Sequence, residues 1–338
     1  MKTLVTGGTG FVGANVVRAL LRRGTEVRAL VRSGSDVRHL ADLDIELKQG
    51  DLRDRQSLEA ALKGCGTVYH VAAVYSLWAS HRQDIYASNV TGTVNLLEAA
   101  SAAGVQKIVY TSSVSTIGLP EDGSPGTEAV PLRPEEMISD YKRSKYLAEQ
   151  EVLKYAQRGL PAVIVNPSFP VGPWDVKPTP SGQLIVNYLR GKIPAYVNTG
   201  LNLVDVEDVA NGHLLAAEKG RLGERYILGH ANVTLLEFFQ LLEQVSGVKA
   251  PRLRIPYSVA YLSACVSELV ARTITHKPPF ATLAGVKLSR KRMFFDSSKA
   301  VRELGFPQTP VVEACRKAVR WFRDHGYAPS RQRLTDQC

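Results

Sequence analysis

The stretch Lys2-Thr3-Leu4-Val5-Thr6-Gly7-Gly8-Thr9-Gly10-Phe11-Val12-Gly13 decides the fold of this chain. An apolar, strand-like run leads into glycines with the spacing of a dinucleotide-binding turn, and an apolar helical run follows. Such a turn needs bare backbone near a pyrophosphate, and the helix that starts near Phe11 directs its free N–H groups at the phosphates. The predicted cofactor contacts here are Gly7, Thr9, Gly10, Phe11, Val12 and Gly13.

Outward from this turn, short β-rich runs alternate with helical stretches. Strands are predicted at Lys2–Thr6, Glu26–Arg32, Ile45–Gln49, Thr67–Val71, Lys107–Ser112 and Ala162–Asn166. Helices are predicted between them at Phe11–Arg23, Arg55–Lys63, Tyr86–Ala103 and Asp140–Gln157. This alternation predicts an α/β fold, a doubly wound parallel (Rossmann) sheet with helices on both faces.

A change of pattern follows residue 166. Five prolines between Pro167 and Pro180 are expected to break helix and sheet alike. We therefore predict a dinucleotide-binding domain at 1–166, a smaller mixed substrate-binding region at 167–327 that is interleaved with the sheet, and a frayed tail at 328–338. Helices of the second region are predicted at Gly182–Arg190, Asp205–Lys219, Leu235–Ser246, Pro256–Thr275 and Val311–His325.

Composition narrows the class of protein. The chain has 338 residues, of which 44% are hydrophobic, so it can bury a large core. Its four cysteines are scattered and predict neither a disulfide framework nor a metal site. The strand pattern begins at Lys2 without a preceding cleavable apolar segment, which predicts a cytoplasmic protein without a signal peptide.

The net charge of +10 admits nucleic acid as a partner. We interpret the excess as spread along the chain, and no nucleic-acid partner is expected.

The longest apolar stretch, Ser258–Ile274, is broken by Glu268 and Arg272, so no spanning helix is expected. Peripheral membrane contact through this stretch stays open, beside packing within the second region or a dimer surface.

The end of the second strand bears on the choice of coenzyme. An acidic residue there would favour the ribose hydroxyl of NAD(H), but this chain has Arg32, which suits a 2′-phosphate. NADP(H) is therefore the favoured cofactor, and NAD(H) remains an alternative. Further cofactor contacts are predicted after the third and fourth strands, at Asp51, Leu52, Val71, Ala72 and Ala73.

The chemistry is predicted from Tyr141 and Lys145, which are one helical turn apart. A tyrosine has a pKa of about 10, and a neighbouring ammonium lowers it because it favours the phenolate. Tyr141 is thus a candidate acid/base, and Lys145 can also bind the nicotinamide ribose. Ser113, at the carboxyl end of the fifth strand, is a candidate for holding the reacting oxygen, a role that Ser112 or Thr111 could share.

Together these motifs resemble those of extended short-chain dehydrogenases/reductases, in the NAD-dependent epimerase/dehydratase group. The resemblance covers about Lys2 to Tyr327, and further motifs carry it: Gly50-Asp51-Leu52, His70-Val71-Ala72-Ala73, Asn89-Val90-Thr91-Gly92-Thr93, Asn166-Pro167 and Asp205-Val206-Glu207-Asp208. It implies catalytic roles for Ser113, Tyr141, Lys145 and Asn89, the last behind the lysine, and a carboxamide contact at Pro167 and Ser168. The most similar subgroups are dihydroflavonol-4-reductase-like reductases and hopanoid-associated sugar epimerases.

The resemblance leaves two activities open. One is hydride transfer between a nicotinamide and a secondary alcohol or ketone, and the other is epimerisation of a sugar through a transient keto intermediate. A nucleotide-sensing protein without catalysis is a third hypothesis, which retention of Tyr141 and Lys145 disfavours. The expected partner is a small molecule (a sugar, polyol or ring ketone), with candidate contacts at Tyr75, Trp78, Ser113 and Tyr196. The resemblance also implies a homodimer.

Overall fold

The computed structural model describes residues 1–75, 82–271, 273 and 282–329. Its strands are β1 (Lys2–Thr6), β2 (Val27–Val31), β3 (Glu46–Gln49), β4 (Cys65–His70), β5 (Lys107–Thr111), β6 (Ala162–Pro167), β7 (Phe169–Val171), β8 (Ala195–Tyr196), β9 (Gly200–Asp205), β10 (Arg225–Leu228), β11 (Ala231–Thr234) and β12 (Leu253–Arg254). Its α-helices are α1 (Phe11–Arg22), α2 (Arg55–Leu62), α3 (Arg82–Tyr86), α4 (Gly92–Ala102), α5 (Asp140–Gln157), α6 (Pro180–Leu189), α7 (Val206–Lys219), α8 (Leu235–Ser246), α9 (Tyr257–Val270), α10 (Leu283–Leu288), α11 (Ser298–Leu304) and α12 (Val311–Asp324).

Seven parallel strands form the central sheet in the order β10-β6-β5-β4-β1-β2-β3. The order reverses direction between β1 and β4, as in a doubly wound sheet, and this opens a crevice at the carboxyl ends of those strands. The predicted fold class is therefore confirmed. The six predicted strands all lie in this sheet, and the seventh, β10, comes from the second region of the chain and pairs with β6.

The sheet is buried on both faces, which explains why its strands read as continuous apolar runs. Successive residues of a strand point to opposite sides, so Leu4 packs in the cluster with α2, α4 and α5, while Val5 packs in the cluster with α1 and α7. Both side chains are fully buried. This two-sided packing holds the loops at the carboxyl edge in fixed positions.

The second region adds a three-stranded sheet, β11-β9-β7, and a two-stranded sheet, β12-β8. The expectation that prolines break helix and sheet here was wrong in part. Pro170 lies within β7, and Pro180 is the first residue of α6. Both positions tolerate a missing N–H, because β7 is the edge strand of its sheet and the first N–H of a helix has no partner within that helix.

The predicted helix over Tyr86–Ala103 differs in detail from the observed one. It begins earlier, as α3, and passes through a π-helical turn at Ala87–Thr91 before it continues as α4. A π turn inserts one residue into the helix and changes the direction of the side chains around it. Asn89 lies in this turn, and its amide is thereby directed toward the loop that follows β4.

The helix predicted at Pro256–Thr275 is observed as α9 at Tyr257–Val270, and residues 274 and 275 lie outside the described residues. Most of the predicted tail, from residue 330 onward, lies outside them as well. Within the described part of the chain, no helix combines the length and the apolar character that crossing a membrane requires.

Candidate active site

The candidate site lies where α5 passes the carboxyl ends of β4, β5 and β6. Helix α5 starts there because the Ser139 hydroxyl accepts a hydrogen bond from the backbone N–H of Lys142, at 3.2 Å, and so caps the helix. Residues four apart share one face of a helix. The face that α5 turns toward the sheet thus presents Tyr141, Lys145 and Glu149 in succession.

Tyr141 lies against a second aromatic ring. Its ring centroid is 4.4 Å from that of Tyr75, and the two planes are inclined at 58°. Burial raises the pKa of Tyr141 to about 12, while an interaction with the Ser113 side chain acts in the opposite direction. The sequence predicted a lowered pKa for Tyr141, but the pKa is raised. Loss of hydration disfavours the phenolate more than the interaction with Ser113 favours it.

Lys145 is buried and directed at the end of β5. Its Nζ donates a hydrogen bond to the backbone carbonyl of Thr111 at 2.6 Å and lies 4.6 Å from the centroid of the Tyr110 ring. Burial lowers the pKa of Lys145 to about 7, and the nearby Glu149 carboxylate partly opposes this shift. Lys145 can therefore be either charged or neutral near neutral pH.

Of the three hydroxyls at the end of β5, Ser113 is the one that interacts with Tyr141. The Thr111 hydroxyl is paired with His213 at 2.8 Å, and that of Ser112 is 3.5 Å from the Thr116 hydroxyl. The Ser113 hydroxyl also accepts a hydrogen bond from the backbone N–H of Ser115 at 3.1 Å, which fixes its direction. The structure thus separates the alternatives that the sequence left open at this position.

A buried polar network contacts the backbone carbonyl of Ser113, and this network was not predicted from the sequence. The Glu149 carboxylate, fully buried, accepts hydrogen bonds from the Thr116 hydroxyl at 2.8 Å and the Asn166 amide at 2.9 Å. The Asn166 amide also donates to the carbonyl of Ser113, at 3.1 Å. The Thr116 hydroxyl lies 2.8 Å from the same carbonyl, and its one proton can go either to this oxygen or to Glu149. Arg225, from β10, lies 3.2 Å from the same carboxylate and balances its charge. The four-residue spacing from Lys145 to Glu149 is the signal that could have revealed this network.

Asn89 is buried, and it connects the loop after β4 to α5. Its side-chain oxygen accepts from the backbone N–H of Val74 at 2.7 Å, and its amide donates to the Val74 carbonyl and the Ser144 hydroxyl, each at 3.0 Å. Ser144 precedes Lys145 on α5. Asn89 therefore holds the segment that carries Tyr75 against the helix that carries Tyr141.

The loop between β1 and α1 has the shape that a dinucleotide turn requires. Gly7 has a φ of +75°, and a Cβ there would lie 2.6 Å from the backbone nitrogen of Ala72. At Gly13, a Cβ would lie 2.0 Å from the Gly7 carbonyl oxygen. Among the described residues, no side chain caps the start of α1 at Gly10, so the first N–H groups of the helix are left for a ligand in the crevice. These residues fit a bound pyrophosphate.

Val71, Ala72 and Ala73 form the opposite wall of this turn. The Thr6 hydroxyl accepts from the backbone N–H of Ala72 at 3.2 Å and is itself 2.8 Å from Nδ1 of His70. Burial lowers the pKa of His70 to about 3, so this ring is neutral and serves as a hydrogen-bonding link. The wall is therefore held by β1 and β4 together.

The adenosine end of the crevice is more polar. Arg32 is exposed directly after β2, and its charge contributes to lowering the pKa of Asp51, although Arg53 contributes most. Arg53 donates two hydrogen bonds to the Asp51 carboxylate, at 2.8 and 3.0 Å. Leu52 is buried, and its carbonyl accepts from the Asn95 amide. Arg32, Asp51 and Leu52 thus occupy the crevice edge where the sequence placed them.

The remaining predicted contacts are dispersed. The Ser168 N–H donates to the Leu228 carbonyl at 3.1 Å, whereas its buried hydroxyl has no partner among the described residues. At this position the Ser168 hydroxyl therefore remains available to a ligand, whereas the Ser168 N–H is already paired. Tyr196 lies in β8 and packs in the core of the second region. Trp78 lies outside the described residues.

This arrangement agrees with comparison to known proteins. Residues 3–229 match the model of the NAD dependent epimerase/dehydratase family. The chain belongs to this family. Its members are enzymes, and the matched residues include the glycine turn, the Tyr141–Lys145 pair and all of the central sheet through β10.

Relatives within the family are similar over nearly their whole lengths. The chain is 49% identical to a putative dihydroflavonol 4-reductase of Synechocystis over 96% of this chain and 95% of the relative. It is 40% identical to sterol demethylase protein B of Methylococcus capsulatus, over 96% of this chain and 99% of that relative. The crystal structure of gox2253 superposes with a TM-score of 0.86 at 49% identity, covering 97% of this chain and 99% of that one. The predicted family and its reductase-like subgroup are thus confirmed.

Proposed function

We propose that this member of the epimerase/dehydratase family is a reductase of cyclic ketones, in which Tyr141 transfers the proton. The observation that carries the proposal is the placement of Tyr141. Its ring lies 4.4 Å from that of Tyr75, its side chain interacts with Ser113, and it shares a helix face with Lys145. A phenol held in this way is protonated at neutral pH and can donate a proton to a carbonyl oxygen as that oxygen gains negative charge.

The proton and the hydride come from different groups. A bound nicotinamide coenzyme would supply the hydride to the carbonyl carbon. Tyr141 gives its proton to the carbonyl oxygen, and Ser113, which interacts with Tyr141, holds that oxygen in place. The reaction then yields a secondary alcohol and a phenolate.

Lys145 stabilises this phenolate when it is protonated. Its pKa of about 7 means that a proton can be taken up from solvent at neutral pH with little cost in free energy. Because Lys145 is held by the Thr111 carbonyl, its ammonium stays at the end of β5 and on the same helix face as Tyr141. The lysine is thus a source of positive charge close to the reacting groups.

The substrate class is inferred from the aromatic wall. The ring of Tyr75 packs against that of Tyr141 at an angle of 58°. Tyr75 is 44% exposed, so part of its ring is available to a flat ligand. Aromatic faces bind planar or fused rings by stacking. The relatives named for dihydroflavonol and sterol chemistry support the same class of ligand.

The direct test measures coenzyme consumption. We expect purified protein to oxidise NADPH in the presence of a dihydroflavonol or a steroid ketone, with one alcohol formed for each NADPH consumed. Tyr141→Phe should lower kcat about 1000-fold while NADPH binding, measured by calorimetry, is unchanged. Tyr146→Phe, on the same helix, is the matched control and should retain activity.

Two outcomes would contradict the proposal. Inversion of a UDP-sugar without net coenzyme consumption would support the epimerase alternative, which the family description also allows. Turnover by Tyr141→Phe that equals that of the unaltered protein would refute the role of Tyr141 in either reaction.

We also propose that NADP(H) is preferred over NAD(H), because Arg32 lies exposed where the adenosine ribose is expected and Asp51 is already bound by Arg53. Arg32→Ala should reduce the preference for NADPH over NADH about 10- to 100-fold, the effect of losing a charge-assisted hydrogen bond. Arg38→Ala is the control, because that guanidinium is already paired with Asp36. An unchanged preference in Arg32→Ala would refute this assignment.

A further inference from the structure

Helix α9 has two apolar faces, and the described residues cover only one of them. The small residues Ala260 and Ala264 point inward and are buried, and so is Ala271, just after the end of the helix. Val259, Leu262, Val266 and Leu269 recur at spacings of three and four residues and form a stripe on the opposite side of the helix. Their exposed fractions lie between 51% and 66%. The larger apolar side chains of this helix thus face away from the core, which reverses the usual arrangement of a surface helix.

The same part of the chain carries most of the net charge. Residues 249–292 contain nine Lys or Arg and a single acidic residue, so they carry +8 of the chain's net +10. The interpretation that the positive charge is spread along the chain was therefore wrong. Glu268, the one acid, is buried in α9 and accepts a hydrogen bond from the backbone N–H of Leu283.

Exposed basic side chains lie in the segments that precede and follow α9 in the chain. Arg252 and Arg254 are exposed on either side of Leu253, which is itself 61% exposed, in the segment that leads into α9. The guanidinium of Arg290 is 5.9 Å from the ring of Tyr257, the first residue of the helix. We call the exposed residues Leu253, Val259, Leu262, Val266 and Leu269, with Arg252, Arg254 and Arg290, the basic-apolar face.

We propose that the basic-apolar face binds the surface of an anionic lipid bilayer, with α9 lying in the plane of the interface. An exposed apolar stripe with exposed arginines in the adjoining segments suits the boundary between acyl chains and negatively charged headgroups. A second copy of this chain fits less well, because a symmetric contact would bring two strongly positive surfaces together. Nucleic acid would use the cations but gain nothing from exposed leucines and valines.

Sedimentation with lipid vesicles tests the proposal. The full-length protein should bind vesicles of phosphatidylcholine mixed with phosphatidylglycerol, bind pure phosphatidylcholine vesicles much less, and dissociate as salt is raised. Leu262→Gln with Leu269→Gln should lower the partition coefficient roughly tenfold or more. Arg252→Gln with Arg254→Gln should lower it about 30-fold, or about fivefold for each cation.

Matched variants elsewhere on the surface serve as controls. Leu222→Gln removes an equally exposed leucine, and Lys63→Gln with Arg158→Gln removes two exposed cations; each should bind vesicles as the unaltered protein does. Because every altered residue is exposed, circular dichroism should show unchanged folding. The proposal does not depend on the catalytic activity.

Three results would overturn it. The first is failure of the unaltered protein to bind anionic vesicles. The second is equal binding by the Leu262→Gln, Leu269→Gln variant. The third is a dimer in analytical ultracentrifugation that this variant abolishes, together with absent vesicle binding, which would assign the face to a second copy of the chain.

Discussion

The carboxyl edge of the central sheet and the outer face of α9 depart from the usual rule of burial in opposite ways. At the sheet edge, Lys145 and Glu149 are charged side chains taken out of water. On α9, Leu262 and Leu269 are apolar side chains left in it. Burial of a charge has a cost in free energy unless a partner is present, and exposure of an apolar stripe has a cost unless something covers it. The sheet edge contains its partners, whereas no described residue covers the outward face of α9. This difference distinguishes the candidate site from the surface that we propose to bind lipid.

Replacing the buried lysine should have the largest effect. Lys145→Met keeps the length of the side chain but removes the charge that we propose to stabilise the Tyr141 phenolate. We expect kcat for ketone reduction to fall about 1000-fold, equivalent to about 4 kcal/mol of transition-state stabilisation. The control is Lys142→Met, since Lys142 is also buried on α5 but its charge interacts with Glu136. Equal losses in both variants would show that a buried lysine on this helix matters only for folding.

Removing the charge of Glu149, in the polar network that contacts Ser113, should have the next largest effect. Glu149→Gln leaves Arg225 without its carboxylate and weakens the acceptor for Thr116 and Asn166. We expect the free energy of unfolding to fall by about 3 kcal/mol in chemical denaturation. We also expect kcat to fall more than KM changes, because Ser113 loses its support. Glu151→Gln disrupts only the exposed pair with Lys154 and should cost less than about 1 kcal/mol. A Glu149→Gln protein as stable as this control would disprove the role of the network.

A buried carboxyl without a cation provides the smallest and most selective test. Asp175 is 1% exposed and accepts hydrogen bonds only from neutral donors of Thr179 among the described residues. Burial raises the pKa of Asp175 from 3.8 to about 7. The folded protein therefore binds more protons than the unfolded chain between these values, and the free energy of unfolding falls as pH rises through that window.

Asp175→Asn should remove this dependence on pH. Relative to the unaltered protein, the variant should gain about 2 to 4 kcal/mol of stability between pH 4 and pH 8, because each unit of the pKa shift corresponds to about 1.4 kcal/mol. The weaker acceptor capacity of the amide changes stability equally at every pH. Denaturation followed at several pH values measures the difference. If the two proteins keep a constant difference in stability across this range, the carboxyl is not buried in the way described.

The local elements of the first half were predictable because local signals and long-range packing agree there. The strand at Lys2–Thr6, the helix at Asp140–Gln157 and the turn at Gly7 to Gly13 appear where the sequence indicates them. An apolar run that ends in glycines can form little other than a buried strand followed by a turn when the sheet is covered on both faces. The π turn at Asn89 was not predictable, since it depends on where the loop carrying Val74 lies.

Prediction of the site was limited by contacts between distant parts of the chain. Tyr141 and Lys145 could be paired from their spacing alone, because one helical turn brings them together. Arg225 lies 76 residues beyond Glu149, and no local pattern relates the two. The direction of the pKa shift at Tyr141 was also inaccessible, because burial, which the sequence does not quantify, outweighs the interaction with Ser113.

The amino-acid sequence by itself determined the fold class, the glycine turn and the helical Tyr141–Lys145 pair, since each follows from contacts within a few residues or from an apolar pattern that repeats along the chain. Only the tertiary structure decided that Ser113 rather than Ser112 interacts with Tyr141, that Glu149 and Arg225 support it, and that the larger apolar residues of α9 face outward. The physical reason is that burial and pairing depend on which distant segments pack together.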